Sequence, residues 1–285
     1  MANSPSSPEN SHQLQCMEIW SGNRSVENTA SSPGLEAWIF SQPYNGESRG
    51  GDVHYLSLCV GGIVTRFILA DVSGHGLAVD DTSQILKKLL RRFMNSKSQN
   101  GLMADLNHEF SELEQRGRFA TAVVATYLSH KRRLLITNAG HPRPLLFRQS
   151  SGTWEFLSDD LPATKQPGNL PLGIIASTKY QQHTIPIGAG DWMLLYTDAL
   201  TEATDSNETM LGETGLLALA RRIPMTPDCS EFGRTLMSLI NEHTQGKTPG
   251  DDVTLMVVRF TETRRVPGIA ERLSGYRALI RNAFS

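Results

Sequence analysis

The stretch Val53-His54-Tyr55-Leu56-Ser57-Leu58-Cys59-Val60, then Gly61-Gly62, then Val64-Thr65-Arg66-Phe67-Ile68-Leu69-Ala70-Asp71 decides the reading of the chain. Two runs of strand length, rich in apolar, β-branched and aromatic residues, flank a double glycine. Glycine reaches positive φ without a Cβ clash, so the pair predicts a tight turn between two antiparallel strands. The second run ends on an aspartate and passes directly into Val72-Ser73-Gly74-His75-Gly76. A helix follows. Ile85, Leu86, Leu89, Leu90, Phe93 and Met94 form an apolar stripe at helical spacing, and Lys87, Lys88, Arg91 and Arg92 fill the other face. That basic run reads as a solvated helix face rather than a nucleic-acid patch.

Outward from this stretch, residues 35–42 predict a strand, whereas 13–33 show no clear period. Asn100 and Gly101 are expected to break the first helix, with a second over 102–115. Further strands are predicted over 119–128, 133–138, 144–148, 153–157, 181–187, 192–197 and 253–260, and helices over 212–222 and 230–242. Residues 159–172, with three prolines and a glycine, read as a loop. Strands in hairpin-like runs with helices grouped between them predict an α+β fold with antiparallel sheets. Residues 1–16 read as a disordered arm, 17–262 as one domain and 263–285 as a tail. In the tail, Ile269, Leu273, Tyr276, Ile280 and Phe284 recur at helical spacing. They predict an amphipathic helix docked on its own domain, with a homodimer contact as the alternative.

Composition narrows the function. A net charge of -2 with 39% hydrophobic and 20% charged residues is ordinary for a globular domain and points to neither nucleic acid nor a membrane surface. No apolar run approaches the roughly 20 residues that cross a bilayer. The first residues lack the basic start and apolar core of a signal peptide. Cys16, Cys59 and Cys229 are far apart and in no CxxC spacing, which argues against a disulfide framework and a cysteine zinc site. Reduced thiols and no signal peptide predict a cytoplasmic location.

The chemistry lies in aspartates at strand ends beside small residues: Gly50-Gly51-Asp52, Asp71-Val72-Ser73-Gly74, Tyr196-Thr197-Asp198-Ala199 and Gly250-Asp251-Asp252-Val253. Any one aspartate beside glycine is usually a turn or cap residue. Brought together, several carboxylates would repel and resist ionisation, a conflict that a hard divalent cation resolves.

With these stretches in order, the chain resembles the metal-dependent protein phosphatases, specifically the SpoIIE-type branch. The resemblance rests on Gly50-Gly51-Asp52, Ala70-Asp71-Val72-Ser73-Gly74-His75-Gly76-Leu77, Phe119-Ala120-Thr121 and Asn138-Ala139-Gly140-His141-Pro142. It continues through Pro171-Leu172-Gly173-Ile174, Gly190-Asp191, Tyr196-Thr197-Asp198-Ala199-Leu200-Thr201-Glu202 and Gly250-Asp251-Asp252-Val253-Thr254-Leu255. It implies a four-layer αββα sandwich with two central antiparallel sheets, and two Mn²⁺ or Mg²⁺ ions at one end. Asp52 and Asp71 would hold metal, with Asp52 bridging both ions; Val72 would offer its carbonyl, and Asp198 and Asp251 would complete the second ion's shell. Asp252 stands where the wider family often has asparagine and takes a supporting role at the metal. His75 could pass a proton to the leaving oxygen or merely shape its turn; His141 reads as structural. A metal-activated water would attack the phosphorus directly. The implied substrate is phosphoserine or phosphothreonine on a regulatory protein, often an anti-anti-sigma factor in bacterial partner switching.

Two departures from the branch stand out: Val53-His54-Tyr55 replaces an aromatic pair and a further aspartate, and Ala199 replaces a glycine. Alanine would be strained there only if the position needs positive φ. One alternative is a phosphatase-fold module that binds a phosphoprotein with little or no turnover. Another, a dinuclear hydrolase acting on nucleotides, would want a basic or aromatic pocket near the aspartates, and none is seen. No GxSxG stretch occurs, and Gly246-Lys247-Thr248 lacks the first glycine of a phosphate loop, since Asn241 stands in its place.

Overall fold

Alternate residues along each central strand enter different apolar layers, and this alternation builds the architecture. The computed structural model describes residues 12–15, 18–59, 62–74, 77–93, 96, 98–113, 117–157 and 169–262. In chain order the elements are β1 (His12–Gln13), β2 (Ile19–Gly22), β3 (Val26–Ser32), β4 (Leu35–Gln42), β5 (Val53–Cys59), β6 (Val64–Val72), α1 (Leu77–Phe93) and α2 (Gln99–Leu113). There follow β7 (Ala120–Leu128), β8 (Arg133–Ala139), β9 (Leu145–Arg148), β10 (Thr153–Phe156), β11 (His183–Pro186), β12 (Trp192–Tyr196), α3 (Gly212–Arg222), α4 (Cys229–Thr244) and β13 (Val253–Phe260).

The strands form two sheets, one ordered β1-β3-β4-β13-β12-β9-β10 and the other β11-β8-β7-β6-β5-β2. Every described pairing between these strands is antiparallel except β1 with β3, so the first sheet is mixed at its border. Phe67 and Leu69 of β6, Val123 and Ala125 of β7, Ile39 of β4 and Met256 and Val258 of β13 fill the layer between the sheets. The neighbours Ile68, Ala70 and Val124 point the other way, under Leu86, Leu89 and Leu90 of α1 and Leu102, Leu106 and Phe110 of α2. Across the molecule Trp38, Leu194, Leu255 and Val257 lie under Leu216 of α3 and Phe232 and Leu236 of α4. The result is the αββα sandwich: helix pair, sheet, sheet, helix pair. Strands buried on both faces read as continuous apolar runs, which is why β5, β6, β7 and β13 were legible.

Several local expectations change. Three strands, β1 to β3, run between His12 and Ser32, and their exposed or half-exposed His, Gln, Ser, Asn, Thr and Glu conceal the strand pattern. Asn100 and Gly101 do not separate the helices but sit in the first turn of α2. Ser98 caps that turn, its Oγ accepting from Gly101 N at 2.9 Å. A glycine this close to a helix start costs little, because the first amides lack intrahelical partners. α4 starts on Asp228, whose side chain accepts from Ser230 N at 2.7 Å. The arm (residues 1–11 and 16), most of the 159–172 loop and the tail helix over 263–285 lie outside the described residues.

The outer helix pair meets its sheet with no spare volume at Gly233 of α4, where an added Cβ would collide with the buried Trp38 ring. Gly233→Ala is expected to destabilise the fold by about 1–3 kcal/mol by overpacking, despite alanine's better helix propensity. Urea unfolding monitored by Trp fluorescence would measure it, and an unchanged midpoint would contradict the tight α4–β4 contact.

Candidate metal centre

The layer between the sheets turns from apolar to acidic at one end. Asp71 continues the face of β6 that carries Phe67 and Leu69, and Asp52 lies two residues before His54 on the β5 face that carries Leu56. From the other sheet, Thr197 continues the Met193–Leu195 face of β12, and Asp252 continues the Met256 face of β13. Asp198 then opens a single 3-10 turn, Asp198–Leu200, and Asp251 leads into β13. Four separate chain segments thus deliver carboxylates to one place.

Asp52 lies deepest, 3% exposed. Its Oδ2 accepts from Thr197 Oγ1 at 3.0 Å, while its Oδ1 is buried with no hydrogen-bond partner. Burial, then the neighbouring Asp71 charge, pushes its pKa well above the ordinary carboxylate value. Asp71 is raised too, by burial first and then by Asp198, Asp251 and Asp252. Asp198 is raised by burial, partly offset by its own and Ala199's backbone amides. Without a cation these groups hinder one another's ionisation.

Asp252 has a different occupation. Its Oδ1 accepts from Tyr44 N and its Oδ2 from Gly51 N, each at 2.6 Å. It therefore clamps the loop that presents Asp52, and a Cβ on Gly50 would collide with its carboxylate. A Cβ on Gly51 would stand 3.0 Å from the Val72 carbonyl oxygen. The two glycines thus allow Asp52, the Val72 carbonyl and the Asp252 clamp to crowd into one corner. Asp251 Oδ1 accepts from Asp252 N at 2.8 Å. Ala199 lies within the 3-10 turn and is absent from the positive-φ residues, so replacing glycine there brings no backbone strain. His75 lies outside the described residues.

Three participants were not picked out as site residues from sequence. Thr197 accepts from Thr254 N at 2.9 Å while donating to Asp52, so it locks β12 to β13 and Asp52 to both. Glu202 stands one turn after Asp198, and its pKa is raised by burial and then by Asp198 and Asp251. Thr121 pairs in register with Asp71, and its Oγ1 lies 2.9 Å from His141 Nδ1. His141 is itself held by Asn138, which accepts from its amide at 2.7 Å and donates to its carbonyl at 2.8 Å. Burial depresses its pKa to about 3, so the ring is neutral. The expectation that His141 is structural agrees with this place behind Thr121. His54, from the departed Val53-His54-Tyr55 stretch, is buried against Gly22 and likewise depressed, to about 4, by burial and then by Lys87.

Among the described residues no three His, Cys, Asp or Glu side chains form a ready-made cage around a single ion. The donors still fit hard cations. Mg²⁺ and ions like it keep several waters and take only one or two carboxylates each, and Asp52 Oδ1 is a buried acceptor lacking a proton donor.

Stability should respond to pH in two opposite ways. His54 and His141 gain protons on unfolding below about 6.5, so their contribution is full above that pH and fades as pH falls toward their depressed folded values. In the metal-free chain, Asp52 and Asp71 keep protons that the unfolded chain has released above the ordinary aspartate value of 3.8. Their contribution is therefore present at low pH and lost as pH rises through their raised values. Thermal melts across pH should show both flanks with chelator, and Mn²⁺ should remove the high-pH loss alone. A Mn²⁺-independent profile would contradict the centre. Separately, Thr197→Val should cost about 1–3 kcal/mol by leaving Thr254 N and Asp52 unpaired, measurable by urea unfolding; no loss would mean the hydroxyl locks nothing.

Comparison with known proteins agrees with the architecture. The family model described as stage II sporulation protein E (SpoIIE) matches residues 62–261. The RsbU and RsbW domains of Rv1364c from Mycobacterium tuberculosis superpose with a TM-score of 0.69 at 19% identity, over 90% of this chain and 71% of that one. The PP2C phosphatase domain of SpoIIE from Bacillus subtilis, with a fragment of its regulatory domain, gives 0.65 at 16% identity, over 87% and 71%. The catalytic domain of the serine/threonine phosphatase PstP, in complex with two manganese ions, gives 0.56 at 17%, over 80% and 99%. No curated protein sequence matches significantly. With the family model spanning most of its length and the two-sheet sandwich in place, the chain belongs to the SpoIIE family of PP2C-type folds.

Proposed function

We propose that this chain is a metal-dependent phosphoprotein phosphatase that hydrolyses phosphoserine or phosphothreonine on a regulatory protein of the partner-switching kind. The observation that carries the reading is the buried Asp52, one oxygen locked by Thr197 and the other without a partner, beside Asp71 at the open end of the sandwich. Asp52, Asp71 and the Val72 carbonyl from one sheet, with Asp198 and Asp251 from the other, would hold two divalent cations, Mn²⁺ or Mg²⁺. Bound there, such ions lower the pKa of a coordinated water and neutralise charge on a phosphoryl group.

The chain's own residues set the conditions for this chemistry. Asp252 accepts from the amides of Tyr44 and Gly51 and so fixes the loop that carries Asp52, leaving Asp52 to face the centre. Thr197 holds Asp52 in one orientation. The 3-10 turn after Asp198 is closed by Thr201 N and Glu202 N, each donating to the Asp198 carbonyl at 2.8 Å, so Asp198 and Glu202 move as one unit. Placing ligands on strand ends rather than on long loops gives the rigidity that transition-state stabilisation needs. His75 keeps both of its sequence readings, a proton donor to the leaving oxygen or a residue that shapes its turn. The similar solved structures include the PP2C phosphatase domain of SpoIIE and the catalytic domain of the serine/threonine phosphatase PstP, which supports a phosphoprotein substrate. Among the described residues no helix is long and apolar enough to cross a membrane, and a cytoplasmic location belongs to the same proposal.

The test is hydrolysis of aryl phosphate and a phosphoserine peptide with Mn²⁺, with chelator, and in Asp71→Asn and Asp198→Asn. Activity should vanish with chelator and drop by about 100-fold or more in either variant. Calorimetry should show weakened Mn²⁺ binding in both, independently of turnover. Hydrolysis indifferent to chelator would overturn the metal assignment. Tight phosphoprotein binding without any hydrolysis would favour the non-catalytic module instead.

A further inference from the structure

A groove of about 560 Å³ opens directly beside the candidate centre, sharing Asp251, Ala199 and Glu202 with it. One wall is the segment after the 3-10 turn, through Met210; the other is the end of α4 and the connection through residues 246–250. Apolar contacts come from Leu200, Met210, Met237, Ile240 and Val253. Met210 is 59% exposed, the most exposed large apolar side chain described.

The groove is built rather than incidental. Asp205 Oδ1 accepts from Asn207 N at 2.8 Å and Thr209 N at 2.9 Å, folding the first wall back on itself. A Thr204–Met210 bridge closes that turn and sets Met210 beside the groove. Lys247 then ties the walls together, donating to the Asp205 carbonyl at 2.7 Å and to Glu208 Oε1 at 2.9 Å.

We infer that this groove takes the polypeptide segment flanking the phosphorylated residue and selects an apolar side chain there over an acidic one. The inference rests on the phosphatase reading and adds a substrate class to it. A phosphoryl group at the carboxylate centre puts its own chain at the groove mouth, because Asp251 and Glu202 line both. The groove's lysine is committed to Glu208 and a carbonyl. An acidic flank would therefore meet Glu202 with no uncommitted lysine or arginine in the groove to offset it, whereas an apolar one meets two methionines and Ile240. Methionine's flexible, polarisable side chain lets such a wall accept more than one apolar shape.

Phosphoserine peptides with leucine, aspartate or arginine walked through the positions on either side test this. For the wild type, kcat/KM should be about tenfold higher for leucine than for aspartate at one position. Met210→Glu, on one wall, and Thr248→Glu, on the other, should each lower kcat/KM for the leucine peptide several-fold, mainly through KM. Aryl phosphate hydrolysis should stay unchanged, and arginine in place of leucine should restore the loss. Equal kcat/KM for all peptides in a protein active on aryl phosphate would overturn the groove assignment but leave the phosphatase reading intact. A protein inactive on aryl phosphate fails that reading instead. The groove is then judged by methyl NMR with a phosphonate analogue of the leucine peptide. Shifts of the Met210 and Met237 methyls support it, and shifts confined elsewhere overturn it.

Discussion

Carboxylates buried between two sheets, with too few proton donors to satisfy them, are the constraint around which this molecule is organised. Asp52 is nearly inaccessible and in electrostatic reach of Asp71 and Asp252. A buried charge without a partner is costly, so such a cluster persists only where something else offsets it. Part of the compensation is internal. Asp252 is satisfied by two amides, and Asp52 is half satisfied by Thr197. The remainder, one oxygen of Asp52 and the mutual repulsion of Asp71, Asp198 and Glu202, is what a divalent cation would relieve.

The fold supplies this arrangement through alternation. The face of β6 that buries Phe67 and Leu69 against the opposing sheet carries Asp71 where the layer ends, and β13 does the same with Met256, Thr254 and Asp252. The apolar layer and the acidic end are thus one face of the same strands. Shifting either strand by one residue would turn its acid toward the helices. Gly50 and Gly51 are required here because Asp252 and the Val72 carbonyl occupy the space side chains would need. Core packing and site geometry therefore cannot vary independently.

Much of this was legible in the residues. The boundaries read for β4, α3 and β13 coincide with the structure, because each is a strongly periodic or continuously apolar segment bounded by polar residues or turns. β1 to β3 were not, because they lie toward sheet borders and carry polar residues on half-exposed faces. Asn100 and Gly101 read as a break because propensity ignores position within a helix, and the Ser98 cap makes the first turn a tolerant place for them. In the site, the aspartates announced themselves by their small neighbours. Thr197, Glu202 and the Thr121–His141 pair did not, since a hydroxyl or imidazole acquires its role only from what stands across the ladder.

Sequence by itself determined the α+β class, the strands that must be buried on both faces, and which acidic residues end them, because these follow from periodicity and local chemistry along the chain. Tertiary structure alone decided that Asp252 acts on backbone amides, that Ala199 sits without strain, that Thr197 joins Asp52 to β13, and that a groove lies beside the acids. Those outcomes depend on register and layer packing between segments far apart in the chain, as in the 208-residue separation of Tyr44 and Asp252. Local sequence carries no record of such distances.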